Sequence, residues 1–190
     1  MKKLFTMYTL FLLVSFSQAN AADKEITIDV KTTRFTSKDK VKLTHAIEVL
    51  KTVMNSEEFK TALLEFKFNE QDDQGMTNID IYNHLMTGAE VLNGEVNHVM
   101  DFDLKMYRSK NPWSKVKGYT KPDTNRIWIH SKFYRRKSWT PVDVAANMAH
   151  EWTHKMGFGH EYYHSDIRPF SVPYGVGSIV TKVANQLGFK

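Results

Sequence analysis

The sequence predicts an α+β domain. Some segments alternate polar and apolar residues with a period of two, others carry apolar residues every three or four positions, and neither pattern recurs as a repeat or low-complexity tract. EITIDVKTTRF, residues 25–35, opens with the alternating pattern and reads as a strand. Residues 41–54 place Val41, Leu43, Ala46, Ile47, Leu50 and Met54 at helical spacing. Ser56 is a good cap for a second helix, with Glu57 and Glu58 in its first turn and Phe59, Leu63 and Phe66 along one side. Residues 68–75, FNEQDDQG, break the pattern as a polar loop. Thr77-Asn78-Ile79-Asp80 then predicts a capped helix running to about Leu92.

The second half begins with VMDFDLKMY, residues 99–107, another alternating strand. A short strand is expected over Trp113–Tyr119, and KPDTN, residues 121–125, is a turn signal. RIWIH, residues 126–130, alternates again, with Ile127 and Ile129 on one face and Trp128 and His130 on the other. Thr140, Pro141 and Asp143 give a helix start with a cap, a suitable first residue and an acid at the third position. The helix continues unbroken to Gly157, with Val144, Met148 and Trp152 on one stripe. A last amphipathic helix is expected over Ser178–Leu187.

The amino-terminal stretch lies apart from this domain. MKK is a short positive region, and LFTMYTLFLLVSFS is an apolar run shorter than the ~20 residues a bilayer span needs. Ala19-Asn20-Ala21 fits the small-x-small cleavage rule. The expectation is a signal peptide over residues 1–21 and one domain over 22–190, exported to the periplasm or the medium as a monomer; a cut after Ala19 is also allowed. Removing residues 1–21 lowers the net charge from +5 to +3. That mild charge gives no case for nucleic-acid binding, and Arg135-Arg136-Lys137 reads as a solvated turn. With the leader gone, no stable membrane insertion is expected. The chain has no cysteine, so it has neither disulfides nor thiolate ligands, and its core or a bound metal must stabilise it.

Three of the eight histidines fall within HEWTHKMGFGH, residues 150–160. His150 and His154 are four apart on a helix and so share one face. Gly157 permits the chain to turn back, which brings His160 from another direction. Three neutral imidazoles leave a fourth position for water, the arrangement of a catalytic rather than a closed structural zinc site. Glu151 is rotated about 100° around the helix from His150. From there it can take the proton of a zinc-acidified water and return it to a departing amine. The ligand set alone does not select zinc over other divalent metals; one zinc per chain is the expectation.

H150-E151-x-x-H154-x-x-G157-x-x-H160 is similar to the zinc signature of the metzincin clan of metallopeptidases, and GFGHE with Ser165-Asp166 most resembles its astacin version. The layout GYT, IWI, HEWTHK-x-GFGH and a PY pair is also similar to small exported bacterial metallopeptidases. The resemblance implies a small zincin-like domain with a mixed sheet, an active-site helix and a carboxy-terminal helix. It implies zinc on His150, His154 and His160, and Glu151 as general base. It also implies a peptide or protein substrate lying antiparallel to an edge strand, which RIWIH or its neighbour would supply.

The chain departs from the clan. No methionine follows Met156 to make the turn beneath the zinc. Pro173-Tyr174-Gly175 is the expected analogue of that turn, with Tyr174 as oxyanion stabiliser or simply as a packed tyrosine. His164 stands where astacins have an arginine; it is also an alternative third ligand, and Asp166 a candidate to orient a ligand. His45, His84, His98 and His130 read as surface or core residues. Besides the endopeptidase, two other readings remain: a zincin-like binding protein that cleaves nothing, and a zinc amidase acting on cell-wall peptides.

Overall fold

A computed structural model describes residues 24–70, 72–111 and 113–190; the signal-peptide expectation lies outside them. The elements in order are strand β1 (Thr27–Thr33), helices α1 (Ser37–Met54), α2 (Glu57–Leu64) and α3 (Asn78–Thr87), and strands β2 (Val99–Tyr107), β3 (Gly118–Thr120) and β4 (Arg126–His130). Helices α4 (Ser131–Tyr134), α5 (Pro141–Lys155) and α6 (Val172–Gln186) follow. The architecture is α+β, as the periodicities predict. No helix among the described residues is long and apolar enough to cross a membrane.

The sheet has the order β1-β2-β4-β3. β1, β2 and β4 run parallel, and β3 lies antiparallel to β4 on the edge. β4 is thus interior, and the edge strand is its neighbour β3. Alternation sends Met100, Phe102, Leu104, Met106, Ile127 and Ile129 to the inner face. There they join the buried faces of α1, α5 and α6 in one core. α5 packs on both α1 and α6, so the helix carrying the histidines has its other faces fixed by apolar burial. Lys155 adds a clasp: its ammonium donates to the Lys121 and Thr124 carbonyls in the β3–β4 turn.

Several boundaries move for physical reasons. α1 starts at Ser37, ahead of the apolar pattern, because Thr36 and Asp39 form a reciprocal capping box. α3 ends at Thr87 rather than near Leu92, because Gly88 takes a left-handed conformation (φ +64°). The strand expected over 113–119 is shorter and shifted, running only over Gly118–Thr120. The four-residue helix α4, capped by His130, has no periodic signal to announce it. α6 begins at Val172, six residues earlier than expected, so Pro173-Tyr174-Gly175 is its first turn and not a tight turn like that of the metzincins. Pro173 sits where the missing N–H costs no helical hydrogen bond.

Gly88 gives a sharp stability test. A Cβ there would lie 2.6 Å from both the N and the O of Val99, at the start of β2. Gly88→Ala combines left-handed strain with this backbone clash, so urea unfolding should show a loss of about 2–4 kcal/mol. A loss under about 0.5 kcal/mol would contradict that packing.

Candidate metal centre

Helix α5 is specified at both ends and along its buried stripe. Thr140 and Asp143 form a capping box, Pro141 is its first residue, and Val144, Met148 and Trp152 are fully buried. This fixes the rotation of the helix and leaves His150 and His154 stacked on one open edge, with ring centroids 5.1 Å apart. The chain then turns back at Gly157 (φ +95°). Phe158 is buried after the turn, its N–H donating to the Thr153 carbonyl, while Gln74 Nε2 donates to the Gly157 carbonyl at 2.7 Å. So anchored, the loop brings the His160 ring 5.3 Å from His150 and 4.9 Å from His154.

One ligand nitrogen from each of the three rings can be chosen so that all lie within 4.8 Å of one another. His154 Nδ1 lies 2.8 Å from the Phe158 carbonyl and His160 Nδ1 2.9 Å from the Glu161 carbonyl. Carbonyl anchors of this kind fix the tautomer and leave the other nitrogen bare. Burial pushes His150 down to about 3, with His154 and His160 adding to the effect. Burial likewise pushes His154 down to about 4, against the opposing bond to Phe158. Both rings are therefore neutral near pH 7. Bare, neutral, converging imidazoles suit a borderline-soft divalent cation such as zinc.

Glu151 is only 4 % exposed, and its carboxylate lies between α5 and the edge strand. Asn147, one helical turn earlier, directs its Nδ2 at Glu151 Oε1 across 3.5 Å. Burial raises the Glu151 carboxyl to about 8, opposed by Asn147 and Lys155. Gly118 of β3 makes room for the pair. A Cβ there would sit 2.9 Å from Asn147 Oδ1 and 3.0 Å from Glu151 Oε1. Gly118→Ala should therefore displace the carboxylate or lift β3, costing about 1–3 kcal/mol in urea unfolding; an unchanged midpoint would sink it.

Tyr174 reaches the centre from α6. Its ring lies 4.5 Å from that of His150 and 4.9 Å from that of His160, and the Arg168 guanidinium lies over it, 4.9 Å from the ring centroid. His164 and Asp166 are exposed and outside the cluster. Glu161, not Asp166, supplies the carbonyl beside His160 Nδ1. His84 and His98 bond backbone carbonyls of Met156 and Met86. Asn147, Gly118 and Tyr107 were missed from the sequence. The four-residue step from Asn147 to Glu151 was a usable signal. Tyr107 is pushed up to about 12 by burial, then by Tyr119 and Glu151; its place near the site follows from sheet register alone. No family model matches the chain, and no curated protein matches it.

Proposed function

We propose that this chain is an exported, metzincin-like zinc endopeptidase acting as a monomer in the periplasm or medium. The observation that carries the reading is the convergence of His150, His154 and His160, the last two tied to backbone carbonyls, beside the buried Glu151. His150, His154 and His160 would hold the ion. A bound zinc supplies a Lewis acid that polarises a carbonyl and acidifies a water. Glu151 accepts the proton of the attacking water and delivers it to the leaving amine. The outer edge of β3 offers backbone donors and acceptors to an extended peptide, which would add as a further strand. Tyr174, packed on two of the ligand rings, is the candidate donor to the developing oxyanion.

The helical first turn of α6, standing where the clan has its methionine turn, favours a second reading: a zinc-binding protein that cleaves nothing. Glu151 opposes it, since burying a carboxyl is costly and a pure binder gains nothing from one. Metal analysis of the purified protein with a peptide-library assay separates the two. The expected result is one zinc per chain and hydrolysis that a chelator stops and zinc restores. Full hydrolysis without metal, or a zinc-loaded protein inert to every peptide, would overturn the peptidase. Release of fragments from purified cell wall by a preparation inert to denatured protein would point to the amidase.

A further inference from the structure

We propose that the face formed by the β2–β3 loop and the segment after β4 docks on anionic phospholipid bilayers. The inference does not depend on the peptidase reading. It begins with charge. Residues 104–142 hold eleven lysines and arginines and one acid, Asp123, in a chain whose whole formal charge is +5. The fold gathers part of this segment around one cavity of about 440 Å³ whose lining includes Arg108, Asn111, His130, Lys132, Arg135 and Arg136 and no acidic side chain. Asp39 holds the Arg135 guanidinium in place from outside the cavity, at 2.7 and 3.0 Å. The Arg135–Lys137 run, expected to be a plain solvated turn, thus places two of its cations on the wall of a concave basic surface.

The second observation is apolar. Asn111 folds the loop into a tight turn: its Oδ1 accepts from the Trp113 N–H at 2.9 Å, and its carbonyl accepts from the Ser114 N–H at 3.2 Å. The turn leaves Trp113 86 % exposed and Val116 50 % exposed, interleaved in sequence with Lys110, Lys115 and Lys117. An acidic polypeptide or duplex DNA would be served by the cations alone. A projecting indole with lysines on either side in sequence, beside a concave basic surface, matches the bilayer interface, where indoles sit at headgroup depth and basic residues meet anionic lipid. Docking of this kind is peripheral and needs no inserted helix.

The test uses the purified exported protein, with residues 1–21 removed, and vesicles of phosphatidylcholine alone or mixed equally with phosphatidylglycerol, read by co-sedimentation and tryptophan emission. Binding to the anionic vesicles only, weakened by salt and accompanied by a blue shift, is expected. Arg108→Glu with Arg136→Glu should weaken binding at least about tenfold, and Trp113→Ala should remove the blue shift, both with unchanged circular dichroism. Equal binding to both vesicle types, no binding at low salt, or insensitivity to both variants would overturn the proposal. So would binding to polyglutamate or duplex DNA with none to vesicles.

Discussion

Glu151→Gln should retain the metal and lose peptide hydrolysis by about a hundredfold to ten-thousandfold, the range for removing a positioned acid–base group. The substitution preserves shape and leaves an oxygen to accept from Asn147, so the pocket beneath Gly118 stays filled. The metal should stay because the three histidines owe their positions to α5 packing, the Gly157 turn and backbone carbonyls, none of which involves the Glu151 carboxylate. Zinc content and kcat/KM from one preparation give the answer. Undiminished hydrolysis would end the general-base assignment, and joint loss of zinc and activity would recast Glu151 as structural.

The same variant should show an opposite effect on stability. Burial raises the Glu151 carboxyl from 4.5 to about 8, so the folded state holds a proton that the unfolded chain has already released. Above pH 4.5 folding must take that proton up, and the stability of the metal-free protein falls as pH rises towards 8. Glutamine carries no such dependence. With chelator present, the variant and the parent should be alike near pH 5, and the variant should be more stable by on the order of 2 kcal/mol near pH 8. Stability gained where activity is lost is the mark of a side chain kept for chemistry. An equal offset at both pH values would contradict the assigned burial of the carboxyl.

What the sequence made legible follows from how local each determinant is. The cap of α5, its buried stripe and the spacing of its histidines all lie within one helix and one turn, and each was readable as written. β2 and β4 announced themselves because one face is buried and the alternation is clean. The start of α6 was misread because Pro173, Gly175 and Gly177 look like breakers. Pro173 is instead tolerated in a first turn, and Gly175 answers a tertiary demand: a Cβ there would lie 2.7 Å from Phe66 and Phe68. The Asn147–Glu151–Gly118 arrangement was half hidden for the same reason. Its helical spacing is local, but its roof is supplied by a strand some thirty positions away in sequence, and only strand order brings the two together. The basic cavity needed three-dimensional gathering as well, since its cations are divided between the ends of two parallel strands.

His160→Ala should sharply reduce zinc-dependent stabilisation while sparing the fold. Of the three ligands, His160 is the one carried by the return loop rather than by α5, and its neighbours are the other two histidines and Tyr174. Truncating it removes a ligand with little core packing, and metal affinity should drop at least about a hundredfold. Zinc at about a thousand times its dissociation constant should stabilise the parent by about 4 kcal/mol, roughly 8–16 °C in Tm for a domain of this size. The variant should show at most about a third of that shift and, in chelator, should melt with the parent. Acid gives a further control. His150 and His154 are held near 3 and 4 by burial, below their usual 6.5, so the unfolded chain takes up protons that the fold refuses. That contribution is complete above pH 6.5 and shrinks as pH falls towards 4. Because the variant keeps both rings buried, it should lose metal-free stability over the same interval. A parent protein whose Tm ignores zinc, or a His160→Ala variant that responds as strongly as the parent, would show that the three rings do not share one ion.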